Sequence, residues 1–340
     1  MSDLRNQTDA ERRAMDQELD AWWKRNWGRR VDLGAFATAL PLVLEAELAP
    51  WSNAALESAL AAVGWPAHAS SELAVAADDC LLFARREPET GDPFGEFRSL
   101  DLYYSRPDQD RDAAFVTALA HCVQLLGTPD LVGGSEARAI WHRPTTIVTL
   151  VRRLRPGGVH LRIESRPARE TKDDHAWQTG EYRPTLTWLA WPDESRHHDI
   201  GPLGYKEPDA LTLEAFEHNL DTVFNSLSWD LPVLYPHATN VIWQLTARSS
   251  GDWLAHGWFC AYAAHHLEIR TDGDPLEQTY PHGPNSGREI ATQVKAAVTA
   301  AGITSPEQLG FEAWMSPEPQ ALQAFRLGLQ WSDEEPDDVE

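Results

Sequence analysis

Histidine is the side chain best suited to bind a metal or move a proton near neutral pH, and this chain of 340 residues carries 13. His197-His198 and His265-His266 are adjacent pairs, which a strand would point to opposite faces. Glu214 and His218 stand four apart and share a face of any helix that holds them. A single pair supplies two ligands, fewer than structural or catalytic zinc sites use. No H-E-x-x-H or C-x-x-C pattern is present, so neither a metal nor another cofactor is expected.

Nucleophilic chemistry has no recognisable frame either. There is no G-x-S-x-G elbow, and Cys80, Cys122 and Cys260 sit in apolar segments where a thiol acts as a small hydrophobe. Gly133-Gly134 and Gly157-Gly158 lack the flanking residues of a phosphate-binding loop. Asp272-Gly273-Asp274 has turn chemistry but not the spaced ligands of a calcium hand. Six arginines, Arg152, Arg153, Arg155, Arg162, Arg166 and Arg169, fall within eighteen residues. The default reading is a solvated strand face or an internal ion-pair surface, with a local anion or nucleic-acid contact as the alternative. No catalytic residue is assigned, and a non-enzymatic role is favoured.

Those residues must be positioned by elements, and the hydrophobic pattern marks them. Residues 8–26 read as a helical arm, with Thr8 and Glu11 at capping-box spacing. Helices are expected over 35–48, over 53–64 ending at Gly64-Trp65-Pro66, and over 111–126 ending at Gly127-Thr128-Pro129-Asp130. Strands are expected at 72–76, 80–85 and 98–104. A hairpin joins 147–155 to 159–166 through Pro156-Gly157-Gly158. In its second strand Val159, Leu161 and Ile163 alternate with His160, Arg162 and Glu164, which predicts one buried and one wet face. Residues 167–210 read as a connecting region with one strand at 185–191. A second unit then runs from a helix at 211–227 through strands at 240–247, 254–263 and 265–270, the last two readable as one bent strand. Helices at 287–301, 305–312 and 318–330 close it.

The fold expected is therefore α+β: two small α/β units, each with helices packed on a mainly antiparallel sheet, plus an N-terminal helical arm. The domains are 1–34, the arm; 35–170, the first unit; 171–210, the connection; 211–331, the second unit; and 332–340, an acidic tail. Both halves run helix, strands, helix, and each long helix ends in Gly before a turn and a Trp, Trp141 or Trp314, an internal echo that leaves duplication open.

Charge separates these regions. The formal net charge is -23, with 52 acidic and 29 basic side chains. Residues 1–34 are neutral, residues 35–170 carry -5 and residues 171–340 carry -18, of which the tail supplies -6. Such a field disfavours nucleic-acid phosphates and speeds encounter with a basic partner. No run of about 18 apolar residues is present, so no membrane span is expected. The first residues lack the apolar stretch of a secretory signal, and the three cysteines form no paired framework, which predicts a cytoplasmic protein. Fifteen tryptophans supply core packing and, where exposed, anchors for a partner.

The segment from about 52 to 166 resembles a group of uncharacterised actinobacterial α/β proteins. The likeness is carried by the helix ends Ala-Val-Gly64-Trp65-Pro66 and Gln-Leu-Leu-Gly127-Thr-Pro129-Asp130, then Ala139-Ile-Trp141 and the strands 147–154 and 159–163. Small domains of this layout are similar to cytoplasmic immunity proteins encoded beside secreted polymorphic toxins. The resemblance implies a protein that neutralises a basic effector or toxin, and it transfers no site residues. Asp272, Asp274, Glu277, Trp253 and Trp258, in the acidic second unit, are the residues expected to contact such a partner. An enzyme with an unrecognised site, such as a metal-assisted hydrolase using His218, His265 or His266, and a structural scaffold remain as alternative readings.

Overall fold

The computed structural model describes residues 31–64, 73–77, 80–86, 97–106, 110–153, 158–179, 186–190, 212–234, 240–261, 263–271, 274–281, 283, 285–316 and 327. The arm at 8–26, Trp65-Pro66, His197-His198, Asp272, the segment 318–326 and the tail lie outside them. The described residues form an α+β fold that divides into two compact units. One holds the described residues up to Val132 and from Glu136 to Thr179; the other holds Gly133–Ser135 and the described residues from Leu186 onward.

The first unit opens with α1 (Ala35–Glu45) and α2 (Asn53–Val63). In α1, Phe36, Ala39, Leu40, Val43 and Leu44 are buried, the spacing of a single helical stripe. In α2, Ser52 accepts a hydrogen bond from the Ala55 N–H at 3.3 Å, and Gly64 closes the helix in the left-handed region at φ 74°. Strands β1 (Leu73–Ala77), β2 (Cys80–Arg86) and β3 (Phe97–Tyr104) follow. Next comes α3 (Arg111–Leu126), with the bounds its pattern predicts and capped by the Asp110 carboxylate at 3.0 and 3.2 Å from two N–H groups.

Four further strands are β4 (Leu131–Gly134), β5 (Arg138–His142), β6 (Thr146–Arg153) and β7 (Gly158–Ser165). They extend the sheet in the order β1-β2-β3-β7-β6-β5-β4. Every pairing in it whose register is defined is antiparallel, and β6 and β7 make the expected hairpin, Thr146 opposite Ser165 through to Arg153 opposite Gly158. Leu82, Leu100, Leu102, Leu161, Val148, Leu150 and Trp141 are buried on one face of it. α1 packs against β3, and α3 packs against β6 and β7. Trp141 also fastens the end of α3, donating its indole N–H to the Gly127 carbonyl at 2.9 Å.

Residues placed in a connecting region begin instead with a helix, α4 (Arg166–Gln178). It lacks an apolar stripe, which hid it; pairs one turn apart hold it, Arg166 with Glu170 and Arg169 with Asp173, both at 2.7 Å. α4 packs on β6 and β7, and with this cover the face of β7 expected to be wet is sealed at His160, which is 1% exposed.

The second unit contains β8 (Trp188–Ala190) and the 22-residue α5 (Leu213–Leu234), which outruns its expected end at 227 because its apolar face continues through Leu231 and Leu234. Its sheet follows the order β12-β11-β10-β9-β13: β9 (Asn240–Ala247), β10 (Asp252–Cys260), β11 (His265–Ile269), β12 (Leu276–Tyr280) and β13 (Leu309–Ser316). α6 (Ser286–Ala300) packs beside α5, and both helices lie against β10. The backbone of Gly287 meets the Phe224 carbonyl so closely that a Cβ would clash. The core here is Phe216, Phe224, Trp243 and Phe259, each 0% exposed.

The strands expected at 254–263 and 265–270 are separate and paired, His266 opposite Trp258, which settles against their being one bent strand. One expectation fails in this unit. The helix expected at 305–312 is a 3-10 turn, Pro306–Gln308, followed by β13. There Leu309, Phe311, Ala313 and Met315 pair with alternate buried residues of β9, and sheet pairing overrides local helix propensity. The two sheets differ in strand order, and Trp314, unlike Trp141, is only half-buried.

Candidate functional site

In the first unit the register gathers charged side chains on one sheet face. Asp101 on β3 lies opposite Arg162 on β7, and Tyr103 lies opposite His160. His160 Nε2 is 2.6 Å from Asp101 Oδ1, Arg162 Nε donates to the same oxygen at 2.7 Å, and the Ser99 hydroxyl donates to Oδ2 at 2.6 Å. Arg153 approaches His160 Nδ1 at 3.4 Å. A carboxylate only accepts and a guanidinium only donates, so this imidazole is neutral, with its proton on Nε2. Tyr103 stacks on it at 4.0 Å and 6°.

Burial alone would raise the Asp101 carboxyl, but the His160 hydrogen bond, the Arg162 charge and the Ser99 hydroxyl hold it at about 2. Burial lowers the proton affinity of His160 despite Asp101 beside it. With Asp101 at 0% exposure, this His–Asp pair is closed to a substrate and works as a satisfied buried network.

The second unit presents the contrasting arrangement. On β9, Ile242, Gln244 and Thr246 alternate with the buried Val241, Trp243, Leu245 and Ala247. The face carrying Ile242 also carries Trp258 and His256 on β10, His266 and Glu268 on β11, Glu277 and Thr279 on β12, and Glu312 and Trp314 on β13. None of these side chains is fully buried. Glu268 lies between two imidazoles, His256 Nε2 and His266 Nε2, each 3.1 Å from one of its oxygens. Trp258 stacks on His266 at 4.0 Å and 17°, and Trp253 sets its ring edgewise to His256 at 4.7 Å.

A β-bulge between Trp253 and Ala255 completes this surface. Strict alternation would send Trp253 and Trp258 to opposite faces. The bulge instead pairs Trp253 with Thr246 and turns it onto the face of Trp258. Of the residues expected to contact a partner, Trp253, Trp258 and Glu277 thus share one face. Asp274 lies off it, in the exposed approach to β12, and Asp272 is outside the described residues. His256, Glu268 and Trp314 were not singled out. The alternation on β11 could have pointed to Glu268, whereas Trp314 was hidden when its strand read as a helix.

The three histidines offered for a metal-assisted reaction are not brought together. His218 is exposed on α5, and His266 lies on the open face. His265 is buried, its Nδ1 accepting the Cys260 N–H at 3.2 Å and its Nε2 standing 3.3 Å from the Ser228 hydroxyl, which donates to the Gly283 carbonyl. Among the described residues no group of three His, Cys, Asp or Glu side chains could hold a metal ion. No described helix is long and apolar enough to cross a membrane. Comparison with protein-family models, with curated proteins and with solved structures finds no match to this chain.

Proposed function

We propose that this chain is a non-enzymatic binding protein of the immunity type, acting in the cytoplasm, that neutralises a basic effector or toxin through the open sheet face of its second unit. The observation that carries the reading is the make-up of that face. Trp253, Trp258 and Trp314 supply large aromatic anchors, and Glu268, Glu277 and Glu312 supply negative charge on the same face. Aromatic rings attract Lys and Arg through their π faces, and carboxylates beside them select for that charge. The -18 carried by residues 171–340 adds a long-range pull on a basic partner.

Trp258 is the expected hot spot, because His266 pre-orients its ring and lowers the entropy lost on binding. The test is a low-salt pull-down from the native strain with wild type and Trp258→Ala in parallel, followed by affinity measurement on the purified pair. The expected partner is a basic protein whose affinity falls with salt and drops by about 2 kcal/mol, roughly thirtyfold, in the variant. Recovery of no partner, or equal affinity for both proteins, would overturn the reading.

A further inference from the structure

Among the described residues, the polar face of the first unit holds a guanidinium, Arg138, for which no ion pair or hydrogen bond is found. Four guanidiniums converge there: Arg138 on β5, Arg153 on β6, Arg162 on β7 and Arg169 on α4. Three have carboxylates of their own. Arg153 pairs with Glu136 at 3.1 Å, Arg162 with Asp101 at 2.7 Å, and Arg169 with Asp173 at 2.7 Å and Glu164 at 3.4 Å. Arg138 lies opposite Val151, which lies opposite His160, so it sits on the same face one strand further out. Its Nε is buried and, among the described residues, has no hydrogen-bond partner.

A guanidinium does not shed its proton in a protein, so this charge cannot be neutralised by titration. Burial and the neighbouring Arg153, Arg162 and Arg169 charges all disfavour it, and only Glu136 pulls the other way. Arg138 itself is half-buried, and the Arg153, Arg162 and Arg169 side chains are 32%, 23% and 34% exposed, so solvent reaches the edge of this cluster. What the Arg138 Nε lacks, among the described residues, is an acceptor, since the nearby Glu136 carboxylate is bonded to Arg153.

We propose that Arg138 is the centre of an oxyanion site, with Arg153 and Arg162 as its flanks, that takes a phosphate group, either the free ion or the phosphoryl end of a small molecule. A tetrahedral oxyanion can accept two parallel N–H bonds from the Arg138 fork, Nε–H included, while its charge relieves the repulsion among the arginines. The site is independent of the partner-docking face, which belongs to the other unit, and either proposal can fail without the other.

The experiment is thermal unfolding and calorimetric titration of the full chain with inorganic phosphate, against chloride at matched ionic strength. Wild type is expected to show a saturable rise in midpoint with phosphate and none with chloride. Arg138→Gln, which keeps a polar side chain but removes the charged fork, is expected to bind phosphate at least about tenfold more weakly, the effect of losing a charge-assisted hydrogen bond. Should that variant fail to fold, Arg138→Lys keeps the charge, removes the fork and is expected to weaken binding in the same direction. Competition by a simple phosphate monoester would place the ligand among phosphorylated small molecules, and binding of inorganic phosphate alone would restrict it to the free ion. No saturable phosphate effect in wild type, or one unchanged by substitution of Arg138, would overturn the proposal.

Discussion

In the first unit Tyr103 lies flat on His160 at 4.0 Å, and in the second Trp258 lies flat on His266 at the same distance. Each imidazole contacts a carboxylate through Nε2, that of Asp101 at 2.6 Å or Glu268 at 3.1 Å. The parts match and the settings do not. The His160 and Asp101 side chains are 1% and 0% exposed, whereas His266 and Glu268 are 15% and 23% exposed. Sealed, such a pair has a strong interest in its own geometry, because an unpaired buried polar group is costly. Left open, it costs little to disturb and offers an aromatic ring and a charge to something else. Depth, more than residue type, separates the structural pair from the candidate recognition pair.

The sharpest way to break this contrast is to delete the two carboxylates. Asp101→Ala strands His160 and Arg162 without their acceptor, and it is expected to lower unfolding stability in urea by about 3 kcal/mol. A loss under about 1 kcal/mol would mean that the sealed pair contributes no more than a surface one. Acid unfolding probes the same pair without mutation. Both folded-state proton affinities are below their unfolded values, so the stability they supply is present at neutral pH and lost on acidification. The His160 contribution is expected to decline as pH falls below 6.5. The Asp101 contribution, about 2 kcal/mol, declines as pH falls from 3.8 through about 2. Asp101→Asn should flatten the lower limb of that profile.

Removing the stacked rings sharpens the comparison further. Tyr103→Ala is expected to cost about 1–2 kcal/mol in stability by exposing the network beneath it, measured by thermal unfolding. Trp258→Ala should cost less in stability than it costs in partner affinity. The smallest effect belongs to Glu268→Gln, expected to leave unfolding within about 0.5 kcal/mol of wild type while weakening a basic partner. A large destabilisation there would argue that the second face is a support of the fold.

Much of the architecture is written in local patterning. The apolar stripe of α1, the Asp110 cap and Gly127 stop of α3, and the alternation of β7 are all readable because neighbours in sequence decide them. α4 was not, since no apolar period marks it and its Arg–Glu and Arg–Asp pairs leave no hydrophobic signal. β13 was misread because its strand character is conferred by β9, some 60 residues away in the chain, where Leu309 pairs with Ala247. The candidate site was legible in its residue types but not in its assembly. Trp253 and Trp258 differ by an odd number of residues, and only the bulge between them makes them neighbours on one face. The sealing of His160 likewise depends on cover that strand alternation does not reveal.

All three cysteines are buried thiols, and burial pushes Cys122 up to about 12. Burial keeps all three thiols of the folded chain poorly accessible to an alkylating or maleimide reagent. A cysteine introduced at the exposed Thr279, beside His266 on the open face, becomes a selective attachment point for a dye or spin label. The native protein's own chemistry thus leaves that face addressable by a single-site probe, with no need to strip the core of its sulfur first.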